Sequence, residues 1–315
     1  MPLETLWDAF RTEGYEVASA APATTGLAHF YRAVLAFGHD DFDRAAGAAR
    51  AAAEHEPGSD LFRQAAIYLA RVRERGKAGV YVDGEAFAAF IRGGGNIGLY
   101  AAASEALNAV YKQYETLSLL DIGVGDGLAL LPAMTKNIHR LSLIEPSEAM
   151  LARTTAELSR WGVRYEAYPT TLQAFMQTGG APTWDVIQAT WSLQSIPPDE
   201  HPAIFGWLRA HGERVLIAEF DVPLFDELYH PDRVRHVLAR YEQGLAEYAD
   251  DGGLVAQGFL MPVMFGYFDR SADRTNWEGP VEGWIEGLRA AGFRSIRTQA
   301  LYPYWWADAV LLDAR

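Results

Sequence analysis

Leu117-Ser-Leu-Leu-Asp121-Ile-Gly123-Val-Gly125-Asp126-Gly127-Leu-Ala-Leu-Leu131 is the stretch that decides the fold. A short, largely apolar run of strand length leads into three glycines at alternate positions, and a helix-forming stretch follows. Glycine permits positive φ and close approach to the backbone. A ligand lying at the carboxyl end of a first parallel strand needs both. Asp121, at the end of that strand, can accept from loop N–H groups or from a ligand's ammonium. Dinucleotide sites favour Gly-x-Gly-x-x-Gly, whereas the spacing here is Gly123-x-Gly125-x-Gly127. Asp121 and Asp126 would oppose a pyrophosphate, and they suit a cationic ligand.

Outward from this segment the chain alternates. Strands are expected at 117–122, 140–145, 163–168, 184–189, 214–220, 293–300 and 308–313. Helices are expected at 127–136, 147–160, 170–177, 199–210, 231–248 and 280–291. The alternation predicts a mainly parallel sheet. The last two strands leave no room for a helix between them, so they form a hairpin and the final strand runs antiparallel. The second strand ends in Glu145-Pro146-Ser147, with Glu145 22 residues after Gly123. An acid at that position can accept from both ribose hydroxyls of a nucleoside, and Ser147 is placed to cap the next helix.

The glycine segment resembles motif I of class I S-adenosylmethionine (SAM)-dependent methyltransferases. The resemblance implies a Rossmann-like α/β fold with a seven-stranded sheet and SAM as cofactor. It also implies a cofactor set drawn from Tyr100, the Asp121–Gly127 loop, Glu145, Pro146, Thr170, and Gln188-Ala189-Thr190 at the end of the fourth strand. The segment Trp184-Asp185-Val-Ile-Gln188-Ala189-Thr190-Trp191 resembles motif IV, although His or an acid is common there in the family. Members of this fold build substrate pockets around strands one, four and five. Trp191, Phe220, Tyr229, Phe265, Tyr267 and Trp305 are the aromatic candidates here, and large apolar pockets suit small organic acceptors. Glu219, His201 and His230 are the candidate bases, needed only for an acceptor that must lose a proton. Asn96–Leu107, Phe225–Tyr248 and Trp284–Arg294 also resemble, more loosely, the GRAS family of plant regulators and their bacterial relatives. That likeness offers a second reading, a non-catalytic binder on the same fold.

Residues 26 to about 90 read as helices ahead of the methyltransferase domain. They are Ala-rich, and apolar residues recur at three- and four-residue spacing. Phe42 and Pro57 have the separation found in one half of a tetratricopeptide repeat. A stack usually needs about three repeats, so a helical hairpin is expected. Gly93-Gly94-Gly95-Asn96 reads as a flexible break, dividing a helical extension (1–90) from the methyltransferase domain (91–315).

Composition narrows the classes further. Half of the residues are hydrophobic, so a sizeable core is available, and the net charge of −14 disfavours nucleic-acid backbones and anionic lipid. No apolar run reaches membrane-spanning length, and the N-terminus has no signal-peptide pattern. With no cysteine, disulfides and thiolate metal sites are excluded. His spacing shows no metal motif. A cytoplasmic protein with a small-molecule substrate is expected, and a homodimer is left open.

Overall fold

The structure is a computed structural model, and its described residues are 2–77, 84–271 and 274–315. The helical reading of 26–90 also covers 78–83, which lie outside the described residues. In chain order the first elements are α1 (Leu3–Glu13), α2 (Tyr15–Ala20), α3 (Gly26–Gly38), α4 (Phe42–His55), α5 (Asp60–Arg75), α6 (Gly84–Ile91) and α7 (Gly94–Tyr111). Then come β1 (Leu117–Ile122), α8 (Leu130–Ala133), β2 (Ile138–Ile144), α9 (Glu148–Arg160), β3 (Glu166–Tyr168), α10 (Leu172–Met176) and β4 (Trp184–Thr190). The rest are α11 (His201–His211), β5 (Gly212–Phe220), α12 (Pro231–Ala246), α13 (Met261–Gly266), α14 (Val281–Ala290), β6 (Ile296–Pro303) and β7 (Asp308–Ala314). Several helices start where short polar side chains predict it. The side chains of Thr25, Asp41, Ser59, Ser147 and Thr171 each accept a backbone N–H of the following turn.

The described residues divide into two compact units, residues 97–224 with 274–315, and residues 1–96 with 225–273. The first holds a seven-stranded sheet of order β3-β2-β1-β4-β5-β7-β6. Strands β1 to β5 run parallel, and β7 is antiparallel to both β5 and β6. This is the expected Rossmann-like methyltransferase sheet, reversed last strand included. Every residue of β1 is buried, as a central strand covered on both faces requires. One face packs Leu120, Ile122, Ile187 and Ile217 with Phe205 of α11 and Trp284 of α14. The other packs Leu119, Val186 and Leu216 with Leu107 and Tyr111 of α7 and Leu158 of α9. The order reverses between β1 and β4, and a ligand crevice opens at the carboxyl ends of strands flanking such a switch.

Three expectations are corrected. The helix foreseen over 127–136 is the single turn α8. Pro132 cannot donate to Leu128 and restricts Leu131. The glycine break is not irregular chain, because Gly94 and Gly95 open α7, although the division between the two units does fall at Asn96 and Ile97. There the Gly95 N–H donates to Glu247 Oε2 at 2.7 Å, and Asn96 Nδ2 donates to the Phe90 carbonyl at 2.9 Å. Finally, residues 225–273 group with the N-terminal helices rather than with the sheet. Phe265 lies 5.0 Å from Phe37 and 5.4 Å from Tyr68 between ring centres. Tyr31 Oη donates to the Tyr229 carbonyl at 2.7 Å. Apolar and aromatic residues after β5 complete the core that α3 and α5 begin. Among the described residues no helix is long and apolar enough to cross a membrane.

Candidate active site

β1 ends in a loop whose glycines adopt positive φ, +70° at Gly123 and +57° at Gly125. At Gly123 the requirement is also steric, since an added Cβ would stand 2.3 Å from Ser192 Cβ. Gly125 is different, because an added Cβ there meets nothing within 4 Å. It lines an open cradle, with its N–H donated to Glu145 Oε2 at 2.9 Å. The other Glu145 oxygen accepts the Ser147 N–H at 2.8 Å. Glu145 is only 7% exposed. It is therefore a buried acid bracing the glycine loop, not a solvated turn residue. Each carboxylate oxygen has a second acceptor site.

Asp121 is fixed by a register pairing. It stands opposite Gln188 of β4, and Gln188 Nε2 donates to Asp121 Oδ2 at 2.7 Å. Gln188 in turn accepts from the Tyr111 hydroxyl of α7. Burial pushes the Asp121 carboxyl up to about 7; the charge of Glu145 adds to this, and the Gln188 hydrogen bond opposes it.

β4 ends in a turn that shapes the other side of the cradle. Trp191 has φ of +51°, a left-handed conformation uncommon for a bulky residue. It is held by its N–H donating to the Ala218 carbonyl at 2.9 Å, by stacking on Phe220 at 5.6 Å, and by an edge contact with Tyr100 at 5.1 Å. Ser192 Oγ donates to the Ile122 carbonyl at 2.7 Å, tying this turn to β1.

These elements enclose a cavity of about 400 Å³. Of the cofactor candidates, Tyr100, Asp121, Gly123, Gly125, Asp126, Glu145, Pro146 and Thr190 line it, as does Trp191 from the substrate set. Gly127, Thr170, Gln188 and Ala189 do not. Gly127 packs toward Leu131 and Thr154, and Gln188 and Ala189 are core. At the end of β3 the lining comes instead from Thr171, Leu172 and Gln173. Thr171 caps α10 through its side chain, and that signal could have moved the expectation by one residue. Ser195 and Ile196 were missed because the sequence after the fourth strand carries no marker for a positive-φ tryptophan.

The remaining candidates lie elsewhere. Phe220 is sandwiched between Trp191 and Tyr304, and Trp305 follows Tyr304 at 5.4 Å. His201 Nε2 contacts the Ile196 carbonyl at 2.9 Å, its ring lies 4.8 Å from Trp284, and burial lowers its pKa. Glu219 is 1% exposed, accepts the Gln194 N–H at 3.2 Å, and is pushed by burial well above the usual carboxylate range. Tyr229, His230, Phe265 and Tyr267 belong to the helical unit. His230 there caps α12 through Nδ1, and Tyr229 and Phe265 are buried.

No protein-family model and no curated protein matches the chain. Solved structures do. Magnesium protoporphyrin IX methyltransferase from Synechocystis PCC 6803, with bound SAM, is 13% identical over 70% of this chain and 80% of its own, with a TM-score of 0.45. The 1,6-didemethyltoxoflavin N1-methyltransferase of Burkholderia thailandensis, with S-adenosylhomocysteine (SAH), is 19% identical over 69% and 77%, also with a TM-score of 0.45. A cyclopropane synthase of Mycobacterium tuberculosis is 12% identical over 67% and 83%, with the same TM-score. By its own strand order and reversed last strand, the sheet-bearing unit has the class I SAM-dependent methyltransferase fold.

Proposed function

We propose that the chain is a SAM-dependent methyltransferase, a cytoplasmic enzyme acting on a small apolar or aromatic metabolite. The observation that carries this reading is the open cradle at Gly125, walled by Asp121, Asp126 and Glu145. Three acidic side chains on this wall would repel a pyrophosphate, and they suit a ligand bearing a sulfonium and an ammonium. Glu145 would hold the ribose hydroxyls, Asp121 the ammonium, and the Thr171–Gln173 edge the base. When bound, SAM supplies an activated methyl group. The chain's own contribution is to position the acceptor and exclude water. Titration calorimetry should show SAM and SAH binding far more tightly than NAD. Preferential NAD binding would overturn the reading.

The elevated Asp121 pKa adds a pH dependence. An ammonium partner needs the carboxylate, so binding releases the proton that Asp121 holds below about pH 7. SAM affinity should therefore rise roughly tenfold from about pH 6 to about pH 8 and level off above. The folding contribution has the opposite sense. A raised acid pKa favours the ligand-free fold at low pH and loses that contribution as pH climbs through about 7. Calorimetry in buffers of different ionisation enthalpy counts the released proton, and Asp121→Asn should flatten the profile. A wild-type profile that is already flat would remove Asp121 from the ammonium contact.

A further inference from the structure

The acceptor end of the cavity has its own chemistry, distinct from the glycine loop. It is formed by Trp191, Tyr100, Thr190 and Ser192. Among the described residues, the charged groups lining the cavity are Asp121, Asp126 and Glu145, with no Lys, Arg or His. Glu219 and His201 are not among the residues lining the cavity; Glu219 Oε1 accepts the Gln194 N–H, and the half-buried His201 contacts the Ile196 carbonyl through Nε2. Two polar atoms at this end are buried without a hydrogen-bond partner, Thr190 Oγ1 and Trp191 Nε1. Trp191 is held in a left-handed conformation by Phe220 and Tyr100. Such strain persists where the surroundings over-determine it, often at functional sites.

Resting on the methyltransferase reading above, we infer that the acceptor is an uncharged, planar nitrogen base that stacks against Trp191 and is methylated on nitrogen without general-base assistance. Three observations converge on it. An anionic acceptor would enter a cavity walled by carboxylates, where like charges are costly. A phenol or alcohol must lose a proton, and no lining side chain outside the cofactor's own acids can take it. A ring nitrogen has a free lone pair. That lone pair forms the N–CH3 bond as the C–S bond breaks, with the bonding electrons leaving on sulfur. The positive charge passes from sulfur to nitrogen, no proton moves, and the acid-walled cavity holds a cation before and after. Aromatic faces favour both the planar base and the cationic product. The unpartnered Thr190 hydroxyl and Trp191 N–H offer hydrogen bonds to further heteroatoms of the ring.

The test uses two planar bicyclic probes of matched size, isoquinoline and 2-naphthoate, titrated calorimetrically into full-length protein saturated with SAH. Isoquinoline should bind at least about tenfold more tightly than the anion. Trp191→Ala should cost about tenfold more in isoquinoline affinity than in SAH affinity, which reports a folded cradle. Trp191→Phe should fall between. With SAM in place of SAH, mass spectrometry should detect the N-methylisoquinolinium cation. Equal or tighter naphthoate binding, no isoquinoline binding, or Trp191→Ala binding isoquinoline as wild type does would each overturn the inference while leaving the cofactor assignment intact. Failure of SAH itself to bind wild-type protein would overturn both.

Discussion

Replacing Glu145 by Ala should weaken SAM and SAH binding by roughly tenfold to a hundredfold. The carboxylate is nearly buried and already accepts the N–H groups of Gly125 and Ser147. Hydrogen bonds to a charged group contribute about 1.5–3 kcal/mol, and tenfold in affinity corresponds to about 1.4 kcal/mol. Two losses combine. On the proposed reading the ribose hydroxyls would lose their acceptor, and the glycine loop loses its hydrogen bond from the Gly125 N–H. Glu145→Gln keeps a single acceptor oxygen and should fall between Ala and wild type. Calorimetry gives the affinity, and a thermal melt on the same samples gives the structural cost. A folded Glu145→Ala protein with wild-type affinity and a lowered melting temperature would make Glu145 a loop brace alone.

The second large effect is on stability. Arg214 of β5 is 5% exposed, and its Nε and Nη2 donate to the two oxygens of Asp313 on β7, each at 2.8 Å. Its remaining nitrogen donates to Gln113 Oε1 at 2.8 Å. Removing one partner of a buried, bidentate pair leaves the other charge without compensation, at a cost of several kcal/mol. Asp313 keeps some contact with solvent, so Asp313→Ala should cost about 3 kcal/mol, near the lower end of that range. In a chain of this size that corresponds to a melting temperature lower by about 5–10 °C. The double variant Arg214→Met, Asp313→Leu should recover most of the loss, because apolar replacements of a buried pair are often neutral. If Asp313→Ala melts within about 1 °C of wild type, the pair adds nothing at the antiparallel edge.

The primary sequence by itself determined the local elements. β1 was legible to the residue, because an apolar run ending in glycine has few alternatives. The cap at Ser147 was legible because capping acts over three residues. The reversed final strand followed from the absence of helix-length sequence between 300 and 308. The acids flanking the glycine loop were legible for the same reason, since their meaning depends on position relative to one strand end.

What only the tertiary structure decided involves partners far apart in the chain. Gln188 looks in sequence like a ligand contact. It is a core residue because the β1–β4 register sets it opposite Asp121, 67 positions away, with Tyr111 behind it. The 225–273 segment follows a sheet strand in sequence, yet its aromatic residues complete the core of helices near the N-terminus. Burial raises the pKa of both Glu219 and Asp121, and burial is a property of the whole packed unit. Trp191 acquires its left-handed backbone from Ala218, Phe220 and Tyr100 together. No local propensity favours it, so its place on the cavity wall could be seen only once those partners were assembled.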